Sequence, residues 1–306
     1  MGETRQGSGW GRLAALAAAG AAATAAYAFL IEPAWVEISE YPLLIPDLPG
    51  SWEGKRIVHL TDIHYGNPGS EWLFEWMVRT TNAFDPDLIL ITGDFVLDWP
   101  DQVAPCVRHL AGLQSRLGIV GVLGDHDFER DPPFYHRRSR GAPRKAPRFR
   151  EVRGLVPALE EIGVVLLRNS GLELPGGLRL AGVEPLTNRV NRFDLGQALA
   201  AVPGGPPHLL LSHTPDAVYA ARRHRIPVIL SGHTHGGQVV FPFIGAPVTN
   251  AEIPRCYASG WSTWDDTRLF ISRGLSSHYS LRFLCRPEMT LFTILRDAQG
   301  TDALRR

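Results

Sequence analysis

Cysteine is scarce in this sequence. Cys106, Cys256 and Cys285 are its only three cysteines among 306 residues. They are odd in number and far apart, and no Cys-x-x-Cys pair occurs. The sequence therefore argues against a disulfide framework and against a zinc ribbon.

Net charge is also missing. The 31 Lys and Arg residues balance the 31 Asp and Glu residues, so the chain has no global field that would attract nucleic acid, and we expect no nucleic-acid partner. Positive charge is concentrated in residues 137–153, where eight basic residues and one acidic residue are mixed with prolines. We expect an exposed insertion here, which either grips anionic lipid headgroups or is a solvated loop without a binding role.

Charged residues are absent from residues 13–31, which are rich in alanine. A helix of this length spans about 28 Å, close to the hydrocarbon thickness of about 30 Å. We expect a single-pass membrane anchor, with a cleaved signal segment and a buried alanine helix as the alternatives. Arg5 and Arg12 precede the segment and Glu32 follows it. This charge order predicts a cell-membrane protein in which the rest of the chain faces away from the cytoplasm.

The rest of the chain alternates short apolar runs with helical patterns. We expect an anchor or signal segment at 1–31, a proline-rich stalk at 32–54, a domain at 55–298 with the insertion at 137–153, and a tail at 299–306. The last third of the domain has strand patterns without helices between them. This arrangement predicts an α/β fold of two packed sheets flanked by helices.

Carboxylates and imidazoles follow five of the apolar runs directly. The stretches are "VHLTDIHYG" with Asp62 and His64, "LILITGDF" with Asp94, "VGVLGDHD" with Asp125, His126 and Asp127, "LLLSHTPD" with His213, and "VILSGHTHGGQ" with His233 and His235. Strands of one sheet bring their carboxyl ends together, where α/β proteins bind ligands. Each set alone could be a turn or an ordinary buried histidine, but five sets in this order indicate a common site.

The order of these five sets resembles the calcineurin-like metallophosphoesterase superfamily. "SGHTHGGQVVFP" is similar to its membrane-associated branch related to YaeI and YkuE. The resemblance implies a four-layer α/β/β/α sandwich of two mixed sheets and a dinuclear centre of two divalent ions, with Mn, Fe or Zn suiting the mixed ligands.

The resemblance also implies roles for single residues. The first metal would be held by Asp62, His64, Asp94 and His235, and the second by Asp94 as a bridge with Asp125, His213 and His233. His126 would face the substrate as a general acid. Asp127 would hold the His126 ring charged and oriented, and its alternative role is to cap a turn.

Position 125 departs from the pattern, because the family usually has asparagine there. A carboxylate at Asp125 adds a negative charge to the cluster. We expect this charge to bind metal more tightly while polarising the attacking water less.

Together these features predict a membrane-anchored, metal-dependent phosphoesterase that hydrolyses phosphodiester or pyrophosphate bonds. The resemblance extends to enzymes that act on UDP-2,3-diacylglucosamine, which suggests a lipid-linked substrate and a place in lipid A biosynthesis. That precursor is made on the cytoplasmic side, which opposes the predicted orientation. The alternative function is a catalytically silent module that binds metal or a lipid headgroup, although His126 favours an enzyme.

Overall fold

The computed structural model describes residues 7–67, 69–129, 150–187, 189–277 and 279–297. Most of the predicted insertion, residues 137–149, and the predicted tail, 299–306, lie outside these ranges. The helices are α1 (Gly7–Ala26), α2 (Ser70–Ala83), α3 (Val103–Leu110), α4 (Leu155–Glu161), α5 (Leu195–Ala200) and α6 (Val218–Ala221). The strands are β1 (Glu37–Ile45), β2 (Arg56–Leu60), β3 (Leu88–Thr92), β4 (Ile119–Val122), β5 (Val164–Leu166), β6 (Ser170–Glu173), β7 (Arg179–Gly182), β8 (Leu209–Leu211), β9 (Val228–Ser231), β10 (Gly260–Trp264), β11 (Thr267–Ile271) and β12 (Glu288–Arg296).

The described strands form two six-stranded mixed sheets. The first has the order β1-β12-β2-β3-β4-β5 and the second has the order β10-β11-β9-β8-β7-β6. In the first sheet, β2 to β5 are mutually parallel, and β12 runs antiparallel to β2. In the second, β7, β8, β9 and β11 are parallel, while β6 and β10 are antiparallel edge strands. The predicted fold class is confirmed.

Alternating side chains of the central strands divide the interior into three layers of apolar contact. In β3, Leu88 and Leu90 point between the sheets, whereas Ile89 and Ile91 point toward α2, α3 and α4. This is the two-residue period of an extended chain. A third cluster, which includes Ile229 of β9, lies between the second sheet and helices α5 and α6. The layers therefore follow the order helix, sheet, sheet, helix.

The apolar N-terminal segment is helical. α1 continues through a π turn (Tyr27–Ile31) and a 3-10 turn (Glu32–Ala34). Within the span Trp10–Ala34, an 18-residue stretch has a mean hydropathy of 1.8, and 6% of that stretch is buried within the protein. This helix is long and apolar enough to cross a membrane. The core helix of a soluble protein or an N-terminal signal sequence can have the same length and composition.

The region predicted as a stalk differs from the structure. Residues 37–45 form β1, which pairs in parallel with β12 from Glu37 opposite Glu288 to Ile45 opposite Arg296. Leu43 and Ile45 are fully buried between the two sheets. Burial of these side chains stabilises the strand in the sheet, so the folded domain begins before residue 55.

Candidate metal centre

Five strand ends bring the predicted site residues together. β2, β3 and β4 are neighbours in the first sheet, and β8 and β9 are neighbours in the second. Each is followed within a few residues by one of the polar sets. The side chains of these strands fill the cores on both faces of each sheet. The polar residues that follow the strands converge at the carboxyl ends of the strands, where α/β sheets bind ligands.

The seven predicted metal-binding side chains form overlapping clusters. Three groups have potential ligand atoms within 4.8 Å of one another: Asp62, His64 and His235; Asp125, His213 and His233; and Asp62, Asp94 and His213. Six of the seven residues are buried, and His233 is partly buried. Two cation sites with a shared edge are consistent with this arrangement.

Asp94 lies between the two sites. Its Oδ2 atom is 3.3 Å from Nε2 of His64 in one group and 3.3 Å from Nε2 of His213 in the other. Its Oδ1 atom accepts a hydrogen bond from the backbone N–H of His126 at 2.9 Å. One carboxylate oxygen is therefore fixed by the backbone, and the other is directed toward both groups, as a bridging ligand requires.

Three of the imidazole rings are oriented by backbone carbonyls. The outer nitrogens and their partners are His213 Nδ1 with Thr92 O at 2.8 Å, His235 Nδ1 with Ser276 O at 3.0 Å and His233 Nε2 with Asn250 O at 3.0 Å. A carbonyl only accepts hydrogen bonds, so these ring nitrogens carry the proton. In the neutral rings the inner nitrogens then present lone pairs to the centre of the site, the orientation that metal-ligating histidines have.

The donor set fits divalent metal ions. Nε2 of His213 lies 3.3 Å from Asp94 Oδ2 and 3.3 Å from Asp125 Oδ1. Among the described residues, neither carboxylate oxygen has a hydrogen-bond donor, although both are buried. Lone pairs that face carboxylate oxygens in a buried site repel one another unless a cation or a proton lies among them. Mixed carboxylate and imidazole ligands suit Mn, Fe or Zn.

The backbone of the site is strained. Asp62, His64, Asp94, His233 and His235 all have positive φ values, between 47° and 70°. Residues other than glycine adopt this left-handed backbone conformation at a cost of roughly 1–3 kcal/mol each. Strain of this kind persists where the surrounding structure holds it, and it is concentrated at functional sites.

Two glycines permit the close packing of the carboxylates. A Cβ atom on Gly124 would lie 2.1 Å from Asp94 Oδ1, and one on Gly232 would lie 2.1 Å from Asp62 Oδ2. Any side chain at these positions would displace a potential ligand. The glycines of the Gly-Asp and Gly-His motifs thus have a steric role in the site.

The ring of His126 borders the centre and is held by two residues that the sequence analysis missed. Its Nδ1 atom lies 2.9 Å from Asp98 Oδ1 and 3.2 Å from Arg189 Nη1, and Arg189 Nη2 donates to Asp98 at 2.5 Å. Burial lowers the pKa of His126, but the carboxylates of Asp94, Asp98 and Asp125 outweigh it and raise that pKa to about 9. No strand-end pattern marks Asp98 or Arg189, and the only hint is an acidic residue in the apolar stretch "FVLDW".

Asp127 differs from its predicted catalytic role. Its carboxylate accepts hydrogen bonds from the backbone N–H groups of Asp94, Phe95, Val96 and Gly124. The side chain is fully buried, so burial raises its pKa to about 7, with a further contribution from Asp94. Asp127 therefore organises the loop that carries Asp94, which corresponds to the turn-capping alternative, and Asp98 is the carboxylate at the His126 ring.

A cavity of about 930 Å³ opens over the centre. Asp94, Asp125, His126, His233 and His235 contribute to its floor. Its walls include polar and cationic groups that can bind phosphate oxygens, among them Thr187, Arg189, Asn191 and Arg223. A ligand of substantial size can therefore reach the clustered carboxylates and imidazoles.

The comparison with protein families agrees with this geometry. A family model described as calcineurin-like phosphoesterase matches residues 55–237, more than half of the chain. The chain belongs to the calcineurin-like phosphoesterase family. As a member of it, the protein is a metal-dependent phosphoesterase.

Several curated relatives extend over nearly the whole of this phosphoesterase. It is 28% identical over 279 residues to the metallophosphoesterase YkuE of Bacillus subtilis, covering 88% of each chain. It is 26% identical over 270 residues to the phosphodiesterase YaeI of Escherichia coli, covering 88% of this chain and 92% of that one. It is also 24% identical over 302 residues to the UDP-2,3-diacylglucosamine pyrophosphatase LpxG of Chlamydia trachomatis, covering 87% and 91%. Two of these relatives are named for the hydrolysis of phosphodiester or pyrophosphate bonds.

Proposed function

We propose that the protein is a membrane-anchored dinuclear phosphoesterase that hydrolyses a phosphodiester or pyrophosphate bond in a lipid-linked substrate, such as UDP-2,3-diacylglucosamine. The observation that carries the proposal is the position of Asp94 between two groups of buried ligand atoms. The similarity to relatives named phosphodiesterase and pyrophosphatase supports the reaction class.

In this proposal seven residues hold two divalent cations. Asp62, His64 and His235 would hold one, Asp125, His213 and His233 would hold the other, and Asp94 would contribute to both. When bound, such a pair of cations supplies a water-derived nucleophile near neutral pH and neutralises charge on the phosphoryl group. The chain itself contributes the fixed orientation of each ring and carboxylate, so that little reorganisation is needed when substrate binds.

His126 acts as the general acid in this proposal. The centroid of its ring lies 5.0 Å from that of the His64 ring, and His126 lines the cavity. The Asp98 carboxylate accepts a hydrogen bond from Nδ1–H of His126, and Nε2–H is left to donate its proton to the leaving oxygen. Arg189 pairs with Asp98 and lines the same cavity, where its guanidinium can bind a phosphate oxygen.

The reaction is tested with the full chain in nanodiscs loaded with Mn²⁺. Hydrolysis of bis(4-nitrophenyl) phosphate and of a UDP-linked diacyl sugar should be measured together with metal content. The His126→Ala variant should lose about 10²- to 10⁴-fold in kcat, the usual contribution of a general acid, with two metals retained. Full metal occupancy without turnover of diesters, monoesters or nucleotide-linked lipids would instead support the metal- or headgroup-binding module.

Anchoring rests on the span Trp10–Ala34, which is apolar and almost wholly exposed. Tryptophan residues flank its two ends, with Trp10 80% exposed and Trp35 54% exposed, and this residue type is enriched at both membrane interfaces. The alternative of a cleaved signal segment predicts a mature chain that begins beyond residue 31. Mass spectrometry of the purified membrane protein distinguishes the two.

The orientation of the domain decides between two kinds of lipid-linked substrate. Basic residues precede the span, which favours an extracytoplasmic domain. A nucleotide-linked lipid substrate from the cytoplasm would require the opposite orientation. The test is a reporter that is active only outside the cytoplasm, fused after Arg306. Activity of this reporter would support the extracytoplasmic orientation and argue for a lipid-linked phosphodiester on that side. A cytoplasmic signal would favour the UDP-linked lipid.

A further inference from the structure

An apolar surface lies outside the active centre, on the loop formed by residues 239–249. Phe243 is fully exposed, and Ile244, Val248 and Phe241 are 78%, 60% and 43% exposed. Exposed apolar side chains that are scattered singly need no explanation, but contiguous ones indicate an interaction surface. We call these four residues the apolar loop.

The apolar loop has a defined shape. Phe241 and Gly245 exchange two backbone hydrogen bonds, at 3.1 and 2.9 Å, and Ile244 N–H also donates to Phe241 O. The resulting tight turn places Phe243 and Ile244 at its tip. Phe243 has a φ of 67°, a strained conformation for an aromatic residue. The fold thus holds a bulky apolar side chain outward at a conformational cost.

The apolar loop is continuous with the end of the N-terminal helix. The centroid of the Phe241 ring lies 6.5 Å from that of the Phe283 ring. The Phe283 centroid lies 6.4 Å from that of the Tyr27 ring. The Val240 N–H donates to Phe283 O at 2.9 Å. The segment around Phe283 therefore joins the loop to the helix.

The helix end is fixed to that same segment by hydrogen bonds. The Arg282 N–H donates to Ala28 O at 2.9 Å. The buried carboxylate of Glu32 accepts hydrogen bonds from the backbone N–H groups of Leu284 and Cys285. The helix end and the apolar loop thus keep a fixed relation to each other and to the domain.

Residues on the helix side complete the surface. Leu30 and Ile31 are 73% and 53% exposed, and Leu284, whose backbone N–H donates to Glu32, is 51% exposed. The Arg286 guanidinium lies 4.9 Å from the Trp35 ring. An aromatic ring with a cation at the edge of an apolar surface is typical of the zone where lipid headgroups meet hydrocarbon.

The cavity adjoins both ends of the apolar loop. Gln238 precedes the loop and Asn250, Ala251 and Glu252 follow it, and all four line the cavity. Tyr279, which also lines the cavity, is 69% exposed. The mouth of the active-site cavity and the apolar surface therefore share one rim.

We propose that the apolar loop inserts into the lipid bilayer beside the N-terminal helix and holds the cavity mouth at the headgroup layer. The occupant of this surface is the bilayer, because the surface is continuous with a helix of membrane-spanning length. The inference rests on the membrane anchoring in the proposed function and extends it: the substrate would enter from the bilayer surface with its acyl chains still in the membrane.

The test measures the depth of the loop and is independent of catalysis. In the full chain, Cys106 and Cys285 are buried and Cys256 is exposed, so Cys256→Ser provides a background for single nitroxide labels. A label at Phe243→Cys in nanodiscs should show high collision with lipid-soluble oxygen and low collision with a water-soluble nickel complex. A label at Val165→Cys should show the reverse, because Val165 is an exposed apolar residue on β5, at the sheet edge opposite β1.

Two results would overturn the proposal. A Phe243→Cys label that is as accessible to the nickel complex as the Val165→Cys label would mean that the loop lies in water. A label protected from both oxygen and nickel would mean a protein contact, either a second copy of this chain or another protein. A second label at Ile244→Cys should show the same accessibility to oxygen and to the nickel complex as the Phe243→Cys label. This agreement guards against a local effect of one substitution.

An activity measurement separates this inference from the proposed function. The double variant Phe243→Asp, Ile244→Asp should retain wild-type hydrolysis of bis(4-nitrophenyl) phosphate and lose several-fold of its activity on a lipid substrate in nanodiscs. Phe243→Leu, which keeps an apolar side chain, should retain both. Equal activity of the Asp variant on both substrates would contradict the insertion, whereas inactivity of the wild type on every lipid would contradict the proposed substrate and leave the depth measurement decisive.

Discussion

Nδ1 of His126 lies 2.9 Å from Oδ1 of Asp98, a carboxylate only 2% exposed. The two residues are 28 positions apart, on the loops that follow β4 and β3. Arg189 closes the arrangement from a third segment by donating to Asp98. A carboxylate that accepts a hydrogen bond from one nitrogen of a histidine ring fixes which nitrogen faces the substrate.

We expect Asp98→Asn to reduce kcat by about 10- to 100-fold, the usual cost of losing an outer hydrogen-bond partner. The amide can still fill the space but no longer stabilises the charged ring. KM and metal content should stay near the wild-type values, because Asp98 is not among the clustered ligand atoms. Steady-state kinetics with metal analysis checks this.

Asp101→Asn is the matched control, since Asp101 is an exposed carboxylate close to Asp98 in the chain. Its kcat should match that of the wild type. A full loss of metal in Asp98→Asn would show that Asp98 supports the ligands rather than the His126 ring.

The sequence was sufficient to predict the central strands and the convergence of their ends. Runs such as "LILIT" and "VILS" are apolar throughout because both faces of β3 and β9 are buried. The motifs at the ends of these strands are local and therefore readable. The edge strand β1 was not predicted, because "EISEYPLLI" contains proline and its partner β12 is about 250 residues away in the chain.

Long-range contacts explain the other omissions. Arg189 reaches Asp98 across 91 residues, and no sequence spacing reports such a contact. The role of Asp127 depends on where its carboxylate points, and this is set by backbone amides on the neighbouring β3 loop. A motif gives the residue type at such a position, but the hydrogen bonds that decide its role are visible only in the fold.

Removal of the carboxylate that we propose as the bridge should affect both cations. Asp94→Asn should lower bound Mn²⁺ from two ions to at most one per chain, because the carboxylate oxygen between His64 and His213 is lost. In the wild type, metal at about 100 times its Kd stabilises a site by about 2.7 kcal/mol. The rise in Tm on adding Mn²⁺ should therefore be strongly reduced in the variant.

Asp87→Asn provides the control for Asp94→Asn. Asp87 is a buried carboxylate at the other end of the same strand, where it accepts a hydrogen bond from Arg56 N–H. This variant can lower the free energy of unfolding, but it should bind two ions and retain the Mn²⁺-dependent rise in Tm. Retention of both ions in Asp94→Asn would contradict a bridging position.

The carboxylate at position 125 should set the pH range of activity. Asp125→Asn removes one negative charge from the cluster that includes His213 and His233. The net positive charge of a loaded centre then rises, which favours hydroxide over water, so the acidic limb of the pH–rate profile should move to lower pH. Glu252→Gln, a carboxylate of the cavity wall outside the clusters, should shift the profile less. An unmoved profile in Asp125→Asn would argue against Asp125 as a ligand.

His59 should make the fold sensitive to acid independently of the metal centre. The ring is fully buried in β2, is stacked on Phe292 and contacts Thr92 Oγ1 through Nε2 at 2.8 Å. Burial lowers its pKa to about 3 in the folded protein, against about 6.5 in an unfolded chain. The unfolded state therefore binds a proton that the folded state does not, and stability falls as the pH drops from about 6.5 toward 3, by up to about 1.4 kcal/mol per pH unit.

The His59→Gln variant keeps a hydrogen-bonding side chain but removes the titrating ring. Its free energy of unfolding at pH 7 should be lower than that of the wild type, because the stacking on Phe292 is lost. Between pH 6 and pH 4, however, the decline should be shallower by up to about 1.4 kcal/mol per pH unit. Urea unfolding of the metal-free chain at each pH measures both quantities. Thr92→Val, which removes the partner and keeps the ring, should retain the steep decline; if it does not, the acid sensitivity arises from the Thr92 hydrogen bond rather than from the burial of His59.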